Sequence, residues 1–401
     1  MRKRVLLLDT SFAAGPIYAW LEQIGCEVWT IGNRPKDLLA CQAPERYIQA
    51  NYADLTAVQA HVDRLNLDYV VPGCTDISIE TAQQLRVPLT RLDPPEIYQQ
   101  LAGKAAFRAL CKALDLPAPT AIPMESFPRI GQYIAKPADT FSGHGVSTFD
   151  GLHEDAAIRA ITLARAKSRS GEALIETYAQ GQLYSYSCFL ESQVVTDGVI
   201  VREGGSVTPY AVDTSYLVDD FSYSGLEILN QALDRLATHL SLVDGLLHAQ
   251  FIWDGETPSL IELSRRCPGD LYPRLVQLST GSPHAARYAP YFVGETVPRS
   301  QMMRRHILRH TVTAEHKLYE GLWFNHPASI VELHPLAPIV RKPPVAEQID
   351  QVAVLFVETL SKDALEEQYR YFLSRRAYQS RTERLSSTTE NLIRTKRQSL
   401  Q

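Results

Sequence analysis

Short apolar runs alternate with stretches of helical period through the first hundred residues, a pattern that predicts strand–helix–strand units and a parallel sheet covered on both faces. Val5–Leu8 is uninterruptedly apolar and predicts a first buried strand. The loop Asp9–Gly15 follows it. Pro16 suits the first turn of a helix that carries Ile17, Trp20, Leu21 and Ile24 and ends at Gly25. Glu27–Ile31 reads as the second strand, Ala57–Leu65 as the next helix, and Tyr69–Pro72 as a further strand running into Gly73-Cys-Thr-Asp76. In open parallel sheets ligands sit beyond the strand C-termini. The loops Asp9–Gly15 and Gly73–Ser78 are therefore candidates for a cleft lining, and equally for plain turns.

After the prolines at Arg91–Pro95 the pattern changes. Glu96–Leu114 reads as one helix and Leu116-Pro-Ala-Pro119 ends it. A strand Tyr133–Pro137, a Gly/Ser loop Asp139–Gly145 and a return strand Val146–Phe149 precede a helix over 153–167 and the strand Ala173–Glu176. Runs at 183–190, 193–201 and 207–212 predict an antiparallel sheet. A helix Leu226–Leu240 comes next, then strands Leu247–Trp253 and Leu260–Leu263 joined at Asp254-Gly255. The stretch 304–350 carries no assignable pattern. Val352–Val357 reads as a strand, Lys362–Leu373 as a helix, and the tail beyond Ser374 as an exposed helix or disordered chain.

Composition narrows the possibilities. The 401 residues are 45% hydrophobic and 21% charged, as in ordinary globular proteins of two or three domains. Forty basic against forty-five acidic residues leave a formal charge of −5, so no nucleic-acid partner is expected. Only residues 374–401 are basic, with seven Arg or Lys against two Glu. No apolar run approaches the ~20 residues that cross a bilayer, and the N-terminal apolar run is too short for a signal peptide. Six scattered cysteines without a C-x-x-C pair argue against zinc and suit a reducing cytoplasm.

The residues that could carry chemistry lie in the middle of the chain. Phosphate binding needs fixed positive charge and closely approaching backbone N–H groups. Lys136 at a strand end, with Ser142, Gly143, His144 and Gly145 just beyond, supplies both ingredients. Gly103-Lys104 lacks the rest of a P-loop, and the lone Gly15 after the first strand excludes a dinucleotide fingerprint. Magnesium wants few, hard oxygen ligands. Glu262 and Ser264 share one strand face, and Gln250 can sit beside Glu262 across the hairpin at about 5 Å. Arg265-Arg266 follows, a basic turn able to hold an oxyanion. No G-x-S-x-G elbow is present. The tyrosines at 178, 184, 186, 210, 216 and 223 read as strand packing, with a pocket wall as the alternative.

The order of these parts resembles the ATP-grasp superfamily: Lys104, Leu116–Pro119, Ile134–Pro137 with Ser142–Gly145, Leu174-Ile-Glu176 with Gly181, His248–Phe251, and Ile261–Arg266 with Gly269. The resemblance covers about residues 1–300 and 352–373. It implies an α/β chain, α+β in its central part. Residues 1–95 would form a pre-ATP-grasp parallel-sheet domain and 96–303 the nucleotide-binding core, with a small lid at about 115–178 and a larger antiparallel domain. Residues 304–373 would close the core and 374–401 form a basic tail. It also implies roles. Lys104 and Lys136 would contact ATP phosphates under the loop Ser142–Gly145, while Glu176, Thr177 and Tyr178 hold the adenine edge. Gln250, Glu262 and Ser264 would ligate Mg²⁺ (or Mn²⁺), and Arg266 would face the transferred phosphoryl group, acting with Lys136 in catalysis.

The chain departs from that pattern at Gln250 and Ser264, which replace an acid and an amide, and at Leu183, which replaces a ribose-binding acid. The activity implied is an ATP- and Mg²⁺-dependent ligase that activates a carboxylate as an acyl phosphate for attack by an amine or other nucleophile. Its partners would be small carboxylate and amine substrates, with no membrane or nucleic acid and a homodimer left open. The alternative is a catalytically degenerate ATP-binding module that acts through a protein partner.

Overall fold

The computed structural model describes residues 2–140, 143–296, 304–315, 321–336 and 349–381. The chain divides into two compact units, residues 1–305 and 306–401. The first opens with β1 (Arg4–Leu8), α1 (Gly15–Gln23), β2 (Glu27–Gly32), α2 (Leu38–Gln42), β3 (Tyr47–Gln49), α3 (Leu55–Leu65), β4 (Tyr69–Pro72) and α4 (Asp76–Gln84). Its strands form a parallel sheet in the order β3-β2-β1-β4. The continuous apolar character of β1 follows from burial on both sides. Val5 and Leu7 pack with α1 and with Tyr288, Phe292 and Val293, whereas Leu6 and Leu8 pack with Val58 and Val62 of α3.

The stretch predicted as one helix over 96–114 is two: α5 (Pro95–Ala102) and α6 (Lys104–Ala113), with Gly103 extended between them at φ −73°, ψ 113°. Glycine costs about 1 kcal/mol in a helix interior relative to alanine, and here it marks the break. The break places Lys104 and Arg108 one turn apart on a single face, with Phe107, Leu110 and Cys111 buried.

A three-stranded antiparallel sheet follows, ordered β6-β5-β7, from β5 (Gln132–Pro137), β6 (Ser147–Asp150) and β7 (Ala173–Thr177). The helix α7 (Glu154–Lys167) covers one side through Ala157, Ala160, Ile161 and Ala164 against Tyr133, Phe149 and Ile175.

The third sheet of this unit runs β12-β11-β8-β9-β10, all antiparallel: β8 (Gln182–Glu191), β9 (Val194–Gly204), β10 (Thr214–Val218), β11 (Gly245–Trp253) and β12 (Pro258–Ser264). The third strand expected at 207–212 lies instead at 214–218, and 205–213 is a loop. One face of this sheet is apolar: Tyr186, Cys188, Ile200, Leu247, Ala249 and Phe251 pack against Leu229, Leu233 and Leu236 of α8 (Tyr223–Leu240). Strand alternation then places Ser185, Ser187, Glu203, His248, Gln250, Glu262 and Ser264 on the other face. That face is polar over four neighbouring strands, the opposite of what a purely structural sandwich would bury. After β12 come α9 (Tyr272–Thr280), α10 (Ala285–Tyr288) and α11 (Pro290–Val293).

In residues 306–401 the described strands are β13 (His306–Glu315), β14 (Gly321–Phe324), β15 (Ile330–Pro335), β16 (Ile349–Thr359) and β17 (Tyr378–Arg381), with α12 (Lys362–Leu373). Here β16 pairs with β13 and β15, and β14 with β17. The start of the tail, 378–381, is thus a paired strand rather than exposed helix or disordered chain; the rest of it, 382–401, lies outside the described residues.

Candidate active site

The two lysines singled out by sequence lie on different elements and point to one neighbourhood. Lys104, the first residue of α6, donates to the carbonyls of Pro137 and Thr140 at 2.8 Å each. Burial pulls its ammonium below the ordinary lysine value. The next influence is the Glu262 carboxylate, which raises it, and then Lys136, which lowers it. Lys104 therefore feels the charge of both Glu262 and Lys136. An ammonium has three N–H groups, so Lys104 retains one beyond its two carbonyls.

Lys136 donates to Glu176 Oε2 at 2.6 Å. The strand register explains the contact: Glu176 pairs with Ile134 across β5 and β7, and Lys136 is its diagonal neighbour on the same face. Glu176 Oε1 accepts from Arg108 Nε, also at 2.6 Å, with both side chains 2% exposed or less. Arg108 Nη2 then reaches the carbonyl of Ile261 at 2.7 Å. That carbonyl belongs to a bulge, where β12 shifts register against β11 between the Gln250–Glu262 and Phe251–Leu260 pairs. Arg108 was not among the expected site residues. Its signal was the four-residue spacing from Lys104.

This network changes what Glu176 can do. Its carboxylate is a buried bridge between Arg108 and Lys136, so it orders the lysine. The amide N–H groups of Thr177 and Tyr178 are themselves donated to the carbonyls of Thr120 and Gln132, at 3.0 and 2.9 Å. In the glycine loop, Gly143 and Gly145 hold φ of +72° and +77°, where a side chain is strained. His144 is exposed, with its carbonyl accepting from the Thr140 hydroxyl at 3.1 Å. Ser142 lies outside the described residues.

On the polar face of the larger sheet, Gln250 pairs in register with Glu262, and His248 with Ser264. Glu262 is exposed; Gln250 and Ser264 are partly so. Gln250 Nε2 donates to Glu203 Oε2 at 2.8 Å. His248 Nδ1 lies 2.7 Å from the Ser187 hydroxyl, and burial, with Arg266 and His284 nearby, lowers its pKa to about 3. It is neutral near pH 7. Among the described residues no cluster of three His, Cys, Asp or Glu could by itself hold a metal. The donors present are one carboxylate, one amide oxygen and one hydroxyl, all hard. They fit an Mg²⁺ that takes its remaining ligands from phosphates and water.

Arg266 forms a bidentate pair with Asp76 at the start of α4, at 2.7 and 3.3 Å. Tyr98 donates to the same carboxylate at 3.3 Å. Burial opposes the Arg266 charge, but the Asp76 carboxylate outweighs it and raises its pKa. Arg266 thus stands in the cleft already neutralised, and it ties the loop after β12 to the Gly73–Ser78 loop. Its neighbour Arg265 is buried on Asp93 and on the carbonyls of Leu246 and Val243. The other candidate loop is structural at its start: Asp9 accepts from Ser11 N and Cys74 N, at 2.8 and 2.9 Å. A Cβ on Gly73 would lie 2.2 Å from that of Asp9. All six cysteines are free.

No family model matches the sequence, and no curated protein is similar to it at the sequence level. Solved structures are similar in fold. Phosphoribosylglycinamide synthetase from Anaerococcus prevotii superposes with a TM-score of 0.72 at 14% identity, over 96% of this chain and 100% of that one. L-amino acid ligase from Bacillus licheniformis gives 0.70 at 15%, over 96% and 100%. The biotin carboxylase domain of the Hydrogenobacter thermophilus 2-oxoglutarate carboxylase, solved as a dimer with MgADP, gives 0.70 at 14%, over 95% and 91%. At these identities the likeness speaks for architecture. The chain has the ATP-grasp fold.

Proposed function

We propose that this protein is an ATP- and Mg²⁺-dependent ligase that joins a carboxylate to an amine or related nucleophile. The observation that carries the reading is a geometric convergence: Lys104 opens the helix whose Arg108 binds both Glu176, the partner of Lys136, and the carbonyl of Ile261, next to Glu262, which pairs with Gln250. Neighbours of the same fold are ligases, and one was solved with MgADP. Lys104 and Lys136 would take the phosphates with the N–H groups their protein acceptors leave free, while Gly143 and Gly145 close the loop over them. Gln250, Glu262 and Ser264 would hold Mg²⁺, with Mn²⁺ an alternative. When bound, the ion neutralises charge on the phosphates.

In the reaction proposed, a substrate carboxylate oxygen attacks the γ-phosphorus and the bond to ADP breaks, giving an acyl phosphate. The amine nitrogen then attacks the acyl carbon, the bond to phosphate breaks, and the nitrogen loses a proton to solvent. Such chemistry needs alignment and charge neutralisation more than a proton-transfer pair. Arg266 would face the transferred phosphoryl group, its orientation fixed by the Asp76 carboxylate that pairs with it.

The neutral Gln250 and Ser264 favour a second reading, an ATP-binding module without turnover. A phosphate-release screen of carboxylates against amines, with mass spectrometry of the products, separates the two. Phosphate release that needs both substrates and disappears in Glu262→Ala supports the ligase. ATP binding with no release for any pair favours the module.

A further inference from the structure

Gln250 stands where a carboxylate would be the stronger metal ligand, and an amide serves only if its oxygen faces the ion. We infer that Glu203 is the positioning residue that fixes this orientation, an inference that rests on the metal role proposed for Gln250. A carboxylate only accepts hydrogen bonds, so the Gln250 atom 2.8 Å from Glu203 Oε2 must be the NH₂ group. The reverse orientation would set two oxygens against each other. With Nε2 held on one side, Oε1 is committed to the other and is presented as a metal ligand.

The sheet explains how the two residues meet. Glu203 lies on β9 and Gln250 on β11, with β8 between them. On β8 the residue paired with Gln250 is Ser185, fully buried and small, so the longer side chains meet across it. Glu203 is itself 4% exposed. It also places negative charge one hydrogen bond behind a neutral ligand, which makes that oxygen a better donor to a cation.

The test titrates Mn²⁺ by electron paramagnetic resonance against the whole protein with saturating ADP, and separately titrates ADP without metal by calorimetry. Glu203→Ala is expected to weaken Mn²⁺ about 10–100-fold, the usual cost of losing a residue that orients a ligand, with metal-free ADP affinity unchanged. Glu203→Gln keeps an acceptor and is expected to retain most of the metal affinity. Gln250→Glu alone sets two carboxylates together and is expected to bind Mn²⁺ no better than wild type. The exchange Glu203→Gln with Gln250→Glu rebuilds the hydrogen bond in the opposite sense and is expected to bind more tightly than Gln250→Glu. That comparison stands even if Glu203→Ala fails to fold. Unchanged Mn²⁺ affinity in Glu203→Ala, or an exchange variant no tighter than Gln250→Glu, overturns the inference while leaving the ligase reading intact. A wild-type protein that binds ADP but no Mn²⁺ beside it overturns both.

Discussion

Arg108→Met would remove the centre of the buried network. Arg108 is held by Glu176 at 2.6 Å and by the Ile261 carbonyl at 2.7 Å, and its pair with Glu176 is almost wholly shielded from water. Methionine fills a similar volume but leaves the Glu176 carboxylate with only Lys136 and strips the bulge carbonyl of its donor. Breaking a buried pair from one side costs about 3–5 kcal/mol. At about 2 °C per kcal/mol for a unit of this size, the melting temperature should fall by about 6–10 °C. Differential scanning calorimetry of the whole chain reads this directly. Arg108→Met with Glu176→Gln removes the uncompensated charge and should cost less than the sum of the single changes. If Arg108→Met melts within about 2 °C of wild type, or the double variant is simply additive, the network is not a coupled structural element.

Other consequences follow from the same geometry. Gly143→Ala forces a side chain onto φ +72° and sets its Cβ 2.5 Å from that of Tyr210. Calorimetry should show ATP affinity reduced several-fold, with partial recovery when Tyr210→Gly removes the obstructing atom. His284 and His310 are buried, and burial lowers each pKa to about 3, with Arg287 and Arg309 respectively adding to the effect. Both are neutral when folded, whereas the unfolded chain takes up their protons below about 6.5, so stability is lost as pH falls. Each histidine contributes about 1.4 kcal/mol per pH unit in that window. Denaturant titrations at pH 7 and 5 should show the decline, and it should be shallower in His284→Phe.

The fold was legible where the pattern of residues reflects packing on two sides. Val5–Leu8 and Tyr69–Pro72 are apolar throughout because helices or neighbouring segments cover both faces of their sheet. The hairpin register that sets Gln250 beside Glu262 was likewise readable from alternation alone. Gly103 was read through as helix because the apolar period continues across it. The strand expected at 207–212 falls at 214–218 because the loop 205–213 carries Tyr210 and Val212 at the two-residue spacing of a strand. Site partners were harder to see. Arg108, Asp76 and Glu203 reach residues 68, 190 and 47 positions away, and those pairings exist only once the sheets are built. Two local signs were present: a second cation one turn after Lys104, and an acid at the inward position after Val199 and Val201.

The most direct test of the central claim is an equilibrium titration of ATP, with and without Mg²⁺, into wild-type protein, Lys136→Ala and Glu262→Ala. If Lys104, Lys136, Gln250 and Glu262 clamp one metal–triphosphate, wild type binds ATP and binds it more tightly with Mg²⁺. Lys136→Ala should then weaken binding in both conditions, and Glu262→Ala should abolish only the Mg²⁺-dependent gain. Absence of ATP binding, or equal affinity in all three proteins, contradicts the account.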